Sequence, residues 1–175
     1  WTSVASSILY SDGLGYGYDV GAFALERSST GISEPSLAAL YRDGHWDSNT
    51  RSFTIEAVED QTYDLRVYAG DAASALYGLA ISVTGIDSGT SSYGPYNTAT
   101  NQFETIDMQD LVADNSGAIT LTFSSNLYWA INGIEIATDG KLPSLPEEPP
   151  VTVPGTPRFD LNGFSDVTET ASDGH

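Results

Sequence analysis

The chain has 175 residues, 40% of them hydrophobic, with Asp+Glu 24 against Lys+Arg 6 and a formal net charge of -18. This is enough chain for one domain with a substantial core and too apolar for disorder. The charge argues against a nucleic-acid backbone or an anionic lipid surface as partner, no apolar run approaches the roughly 20 residues of a membrane-spanning helix, and the absence of cysteine removes disulfides, thiolate metal sites and cysteine catalysis.

In chain order, the predicted elements are strands. Phe53 and Ile55 alternate with Ser52, Thr54 and Glu56; Tyr63, Leu65 and Val67 with Asp64, Arg66 and Tyr68. Leu79, Ile81 and Val83 follow the same rule, as do Ile119, Leu121 and Phe123, and Ile134 and Ile136 bracket Glu135. A period of two in β-branched and aromatic residues marks strands with one buried face. Several of them, separated by Gly, Asp, Asn and Ser, predict a sandwich. Residues 36–41 (SLAALY) also fit a helical turn, but no helix is assigned there.

Composition changes after Asp139. Six of the eight prolines lie within residues 141–157, where missing amide donors forbid a central strand. The segment 139–157 reads as an extended polyproline-type spacer of about 3.1 Å per residue. Residues 158–175 then open with one more alternating strand, Arg158, Phe159, Asp160, Leu161, Asn162 and Gly163, which needs a partner because a lone strand is unstable.

No pattern of catalysis is visible. The two histidines are His45 and His175, no Ser-His-Asp, HExxH or phosphate-loop context exists, and the paired Glu147 and Glu148 fall in the spacer. The chain is not expected to be an enzyme. Sugar sites use aromatic faces and a few orienting polar groups. Tyr16, Tyr18, Trp46, Tyr77, Tyr93, Tyr96 and Trp129 are the candidate aromatics, with Asp43, His45 and Asn132 as hydrogen-bonding partners. Tyr18, Trp46 and Trp129 are equally readable as core or loop anchors, and beside a strand Trp129 favours the core. The excess of carboxylates fits either solubility in a salty exterior or hard-cation binding.

Four segments resemble one known family: LYSDGLGYGYD (9–19), LYRDGHWDSNTRSFTIE (40–56), YDLRVYAGDAAS (63–74) and GAITLTFSSNLYWAINGIEI (117–136). In this order they resemble the malectin-like, galactose-binding-type carbohydrate-binding jelly rolls of bacterial secreted proteins, over nearly all of residues 1–138. Tyr18 departs from the pattern, which often has Trp. The resemblance implies an all-β, two-sheet antiparallel jelly roll, carbohydrate binding, secretion to the cell exterior, and a structural Ca2+ for which Asp19, Glu135, Asp139 and Asp160 are candidate ligands. No catalytic cofactor is implied. The family also opens with a strand like FDFG, which here stands at residues 158–163, displaced to the C-terminus. The chain starts at Trp1 rather than Met, so it is expected to be a mature or excised segment. Three origins fit the displacement: a tandem array cut inside its repeat, a subunit donating its strand to the next copy, or a circular permutant closing on itself. The stiff spacer disfavours self-closure. The expectation is therefore a structural subunit joined head-to-tail with copies of itself into an extracellular filament or array, with a polysaccharide-binding module as the alternative.

Overall fold

Alternation places apolar side chains on one face of each strand, and two such faces meet. The computed structural model describes residues 2–32, 35–138, 142 and 158–160, with main chain alone at 2–3, 35–36 and 158–160. One sheet has five strands in the order β2 (Tyr16–Tyr18), β5 (Arg51–Glu56), β10 (Ala118–Ser124), β7 (Leu76–Ile86) and β8 (Gly89–Thr98). The seven-stranded sheet is built around β11 (Trp129–Thr138). One edge of β11 pairs with β6 (Thr62–Gly70), which pairs in turn with β9 (Phe103–Val112). The other edge pairs with β4 (Asp43–Asp47) at Trp129–Ile131 and with β12 (Arg158–Asp160) at Gly133–Glu135. Outside these lie β3 (Phe23–Glu26) beside β4 and β1 (Thr2–Ser3) beside β12. Among the described residues, every pairing between these strands is antiparallel except β1 with β12. This is the expected all-β, two-sheet jelly-roll sandwich.

Between the sheets, Phe53, Ile55, Ile119, Leu121, Phe123, Ile81 and Val83 face Leu65, Val67, Ile106, Met108, Trp129, Ile131, Ile134 and Ile136. Each fully buried side chain of this size contributes about 1.5–3 kcal/mol of transfer free energy. The outward partners form hydroxyl pairs across strands, Ser52 with Thr122 and Thr54 with Thr120, each at 3.0 Å.

Two features differ from expectation. Residues Pro35–Arg42 form helix α1. Leu37, Leu40 and Tyr41 recur at three- and four-residue spacing and make an apolar face that packs on Tyr68 and Phe103 of the seven-stranded sheet. Tyr41 stacks on Phe103 with centroids 4.0 Å apart.

The second concerns β12. The segment expected to be donated to a neighbour takes a place in this chain's own sheet, with Phe159 in register with Ile134 on one side and Thr2 on the other. The physical reason is a vacancy: β4 leaves the edge of β11 after Ile131, and the residues beyond it would otherwise present unpaired main-chain groups. Asn132 stands where β11 passes from β4 to β12, and its Nδ2 donates to Asp43 O at 2.9 Å. The expected spacer, residues 139–157, lies outside the described residues apart from Leu142, as do Leu161, Asn162 and Gly163.

Candidate functional site

Several candidate glycan residues point inward. Trp129 is fully buried beside Phe123, with ring centroids 5.4 Å apart, and its Nε1 donates to Asn49 O at 2.8 Å. It anchors the turn between β4 and β5 and has no face for a ligand. Tyr18 is also fully buried, edge-on to Phe53, and its Oη lies 3.0 Å from His45 Nδ1. Burial above all, then the Asp19 charge, pushes the Tyr18 hydroxyl pKa far up. Burial pushes the His45 imidazole down from 6.5 to about 4, with the Val4 main chain pulling weakly the other way. Asn132 is buried, and Asp43 is nearly so. Burial raises the Asp43 carboxyl pKa, Arg42 opposes the shift and Glu26 adds to it. Tyr16 is half-buried against Phe53. These six residues place their chemistry in the core or against it, because the alternation that makes a strand also turns every second polar or aromatic side chain inward.

Trp46 faces the other way. In β4 it follows the inward His45, so its indole stands on the outer face of the seven-stranded sheet, in register with Phe23 on β3 and Ala130 on β11. The Phe23 and Trp46 rings are 5.1 Å apart at 33°, and Trp46 Nε1 donates to Ala24 O at 3.2 Å. Tyr128 stands nearly perpendicular to the indole, at 84° and 6.1 Å. Leu25, Leu76 and Ala130 pack beneath Trp46 and Tyr128. Phe23 keeps 55% of its surface exposed. Together Phe23, Trp46 and Tyr128 form an aromatic shelf with a floor of two rings and one upright wall.

The polar margin of the shelf is set by Asp71, at the end of β6. Arg27 Nε and Nη2 each donate to its carboxylate at 2.7 Å, and Ala73 N donates to Oδ1 at 2.8 Å. The Tyr128 hydroxyl lies in the same neighbourhood. Burial first raises its pKa, a hydrogen bond with Ser74 lowers it, and Asp71 adds to the rise.

Tyr93 and Tyr96 lie elsewhere, on edge strand β8, opposite Ile81 and Leu79, half-buried against the rim of the core. The Glu104 charge adds to the burial that raises Tyr96. Tyr77 is exposed opposite Asn97. The structure does not bring these three to the Trp46 shelf as ring partners.

The candidate metal ligands are dispersed. Asp19 Oδ1 accepts from Val20 N and Ser52 N. Glu135 is buried, accepts from Tyr68 Oη at 3.2 Å and pairs with Arg66 at 3.5 Å, while Arg66 also binds Asp107 through two bonds of 2.6 and 2.9 Å. The register puts Arg158 of β12 opposite Glu135, so acidic and basic residues alternate across four strands. Asp139 and the Asp160 side chain lie outside the described residues. Among the described residues, no three His, Cys, Asp or Glu come together as a cation cluster.

Sequence reasoning named Trp46 but missed Phe23, Tyr128, Arg27 and Asp71. The signal for Tyr128 was present: once Trp129 is taken as inward, its neighbour must face out.

No family model and no curated protein matches the sequence. Among solved structures, the ANXUR1 extracellular domain from Arabidopsis thaliana is similar at a TM-score of 0.51 and 17% identity, over 79% of this chain and 44% of that one. The ANXUR2 extracellular domain from the same plant gives 0.51 and 15%, over 74% and 42%. A module named TmCBM61, solved with beta-1,4-galactotriose, gives 0.39 and 11%, over 73% and 85%. The fold is the two-sheet jelly roll of these ectodomains. The chain spans less than half of the ANXUR ectodomains it matches. On this jelly-roll frame, the shelf occupies the outer face of the seven-stranded sheet beside edge strand β3.

Proposed function

We propose that this malectin-like domain is a non-catalytic carbohydrate-binding module of the cell exterior, and that it holds a glycan on the shelf of Phe23, Trp46 and Tyr128. The observation that carries this reading is the exposed Phe23 ring beside the Trp46 indole, backed by an apolar base of Leu25, Leu76 and Ala130. A pyranose offers a C–H face to such rings and hydroxyls to the margin. Likeness to extracellular domains supports the location.

The test is a glycan array probed with the wild-type chain and with Phe23→Ala. Binding that is lost in the variant, with an unchanged thermal melt, is the expected result. An equal signal from both proteins refutes the shelf.

The filament reading keeps one supporting observation. A strand held by main-chain bonds between β1 and β11 is one that an identical strand from a second copy would also fit. Because β12 already closes its own sheet, we rank this reading second. Monomers in size-exclusion chromatography, unaltered by a peptide of residues 158–175, are expected; peptide-sensitive oligomers would reverse the ranking.

A further inference from the structure

We propose that the shelf selects uncharged glycans and rejects polysaccharides built on carboxylate or sulfate sugars. This rests on the carbohydrate reading above and adds to it the ligand's chemical class.

An acidic sugar brought out of water needs a cation or a donor fork to replace its hydration. The chain has six Lys and Arg residues against 24 carboxylates. Among the described residues, the guanidinium at the shelf margin is that of Arg27, and its charge is offset by the buried Asp71 carboxylate. Nε and Nη2 donate to Asp71, and Nη1 donates to Glu26 O at 3.0 Å. Arg51 pairs with Asp47 at 2.8 Å and donates through Nη1 to Thr50 O. Arg66 spans Asp107 and Glu135. Arg42 lies near the Asp43 carboxylate, whose pKa it lowers. Lys141 and the Arg158 side chain lie outside the described residues. His45, being buried, brings no charge to the surface.

A divalent cation could bridge an acidic sugar to the protein, but this needs several oxygen ligands at one place. Among the described residues no three His, Cys, Asp or Glu come together to supply them. The shelf therefore offers the Phe23 and Trp46 faces, with the Tyr128 hydroxyl at its margin held to Ala75 O at 3.4 Å. These suit a ligand with hydroxyls and no charge. A uronate or sulfate chain would also meet the repulsion of a surface with a net charge of -18.

The test is native affinity electrophoresis of the full chain in gels containing one polysaccharide each. The neutral set is β-1,4-galactan, xyloglucan and a β-1,3-glucan; the acidic set is alginate, polygalacturonate and carrageenan. Each gel is run with EDTA and with calcium. The expected result is retardation by at least one neutral polysaccharide, weakened on the order of tenfold in Phe23→Ala and changed by less than about twofold on moving to high salt. Retardation by an acidic polysaccharide that depends on Phe23, with EDTA or with calcium, overturns the inference while leaving the glycan reading intact. Retardation by none of the six, or retardation indifferent to Phe23→Ala, overturns both.

Discussion

Replacing His45 by Gln should remove an acid-sensitive part of the domain's stability. The imidazole is fully buried, its Nδ1 is 3.0 Å from the Tyr18 hydroxyl, and burial holds its pKa at about 4. In the unfolded chain it titrates near its ordinary 6.5. Between these values the unfolded state binds one more proton, so its stabilisation is complete above pH 6.5 and is lost as pH falls toward about 4. At about 1.4 kcal/mol per unit, the loss over this window is about 3 kcal/mol, a large share of the roughly 5–15 kcal/mol that holds a domain together. Glutamine keeps an acceptor for the Tyr18 hydroxyl but cannot titrate. Urea unfolding followed by tryptophan fluorescence, repeated from about pH 7.5 to about pH 4.5, gives the two stability curves. The Asp43 carboxyl, pushed up by burial, acts in the opposite direction, because its folded form takes a proton earlier as pH falls. It acts in both proteins, as do the other carboxylates, so the difference between the curves isolates the imidazole. That difference should shrink by about 3 kcal/mol from high to low pH. Parallel curves would refute the argument.

Other substitutions separate the shelf from the core. Trp129→Ala should cost about 3–5 kcal/mol by leaving a cavity and an unpaired Asn49 carbonyl, while the fraction still folded keeps its glycan affinity; denaturant melts and affinity gels measure the two effects. Gly85→Ala should cost about 3 kcal/mol or more, because φ is 80° and a Cβ there would press on the Ala118 carbonyl oxygen of the adjacent strand; a fall in melting temperature reports it. Arg27→Met should cost about 2 kcal/mol by stranding the Asp71 carboxylate, which is only 1% exposed. Adding Asp71→Asn should recover part of that loss in a double-mutant cycle.

Strands were legible where one face of the alternation is purely apolar. Ser52 to Glu56 and Ile119 to Phe123 announced both period and burial, and β5 and β10 pair as that pattern requires. Residues 36–41 were ambiguous because α1 is short and its face is set by contacts with Tyr68 and Phe103, which are distant in sequence. The site was harder to read for a related reason. Period two tells which residues share a face, but it does not tell which face meets solvent when both are rich in aromatics and apolar groups. β11 is buried on nearly every residue, since α1, Tyr128 and Leu76 cover its outer side while the second sheet covers its inner side. The sequence leans Trp129 toward the core but leaves Trp46 open, and the register decides between them. Trp129 pairs with Asp47, one residue beyond Trp46, and that single step sends the two indoles to opposite faces.

The same parity links the shelf to the histidine. His45 is inward because Trp46 is outward, and the five-stranded sheet brings Tyr18 against the imidazole from the other side. A one-residue slip of β4 against β11 would bury the indole and expose the imidazole, so the contacts that hold His45 neutral in the core also hold Trp46 at the surface. Loss of the shelf in acid and loss of stability in acid should then coincide, since both follow from releasing β4 from its register.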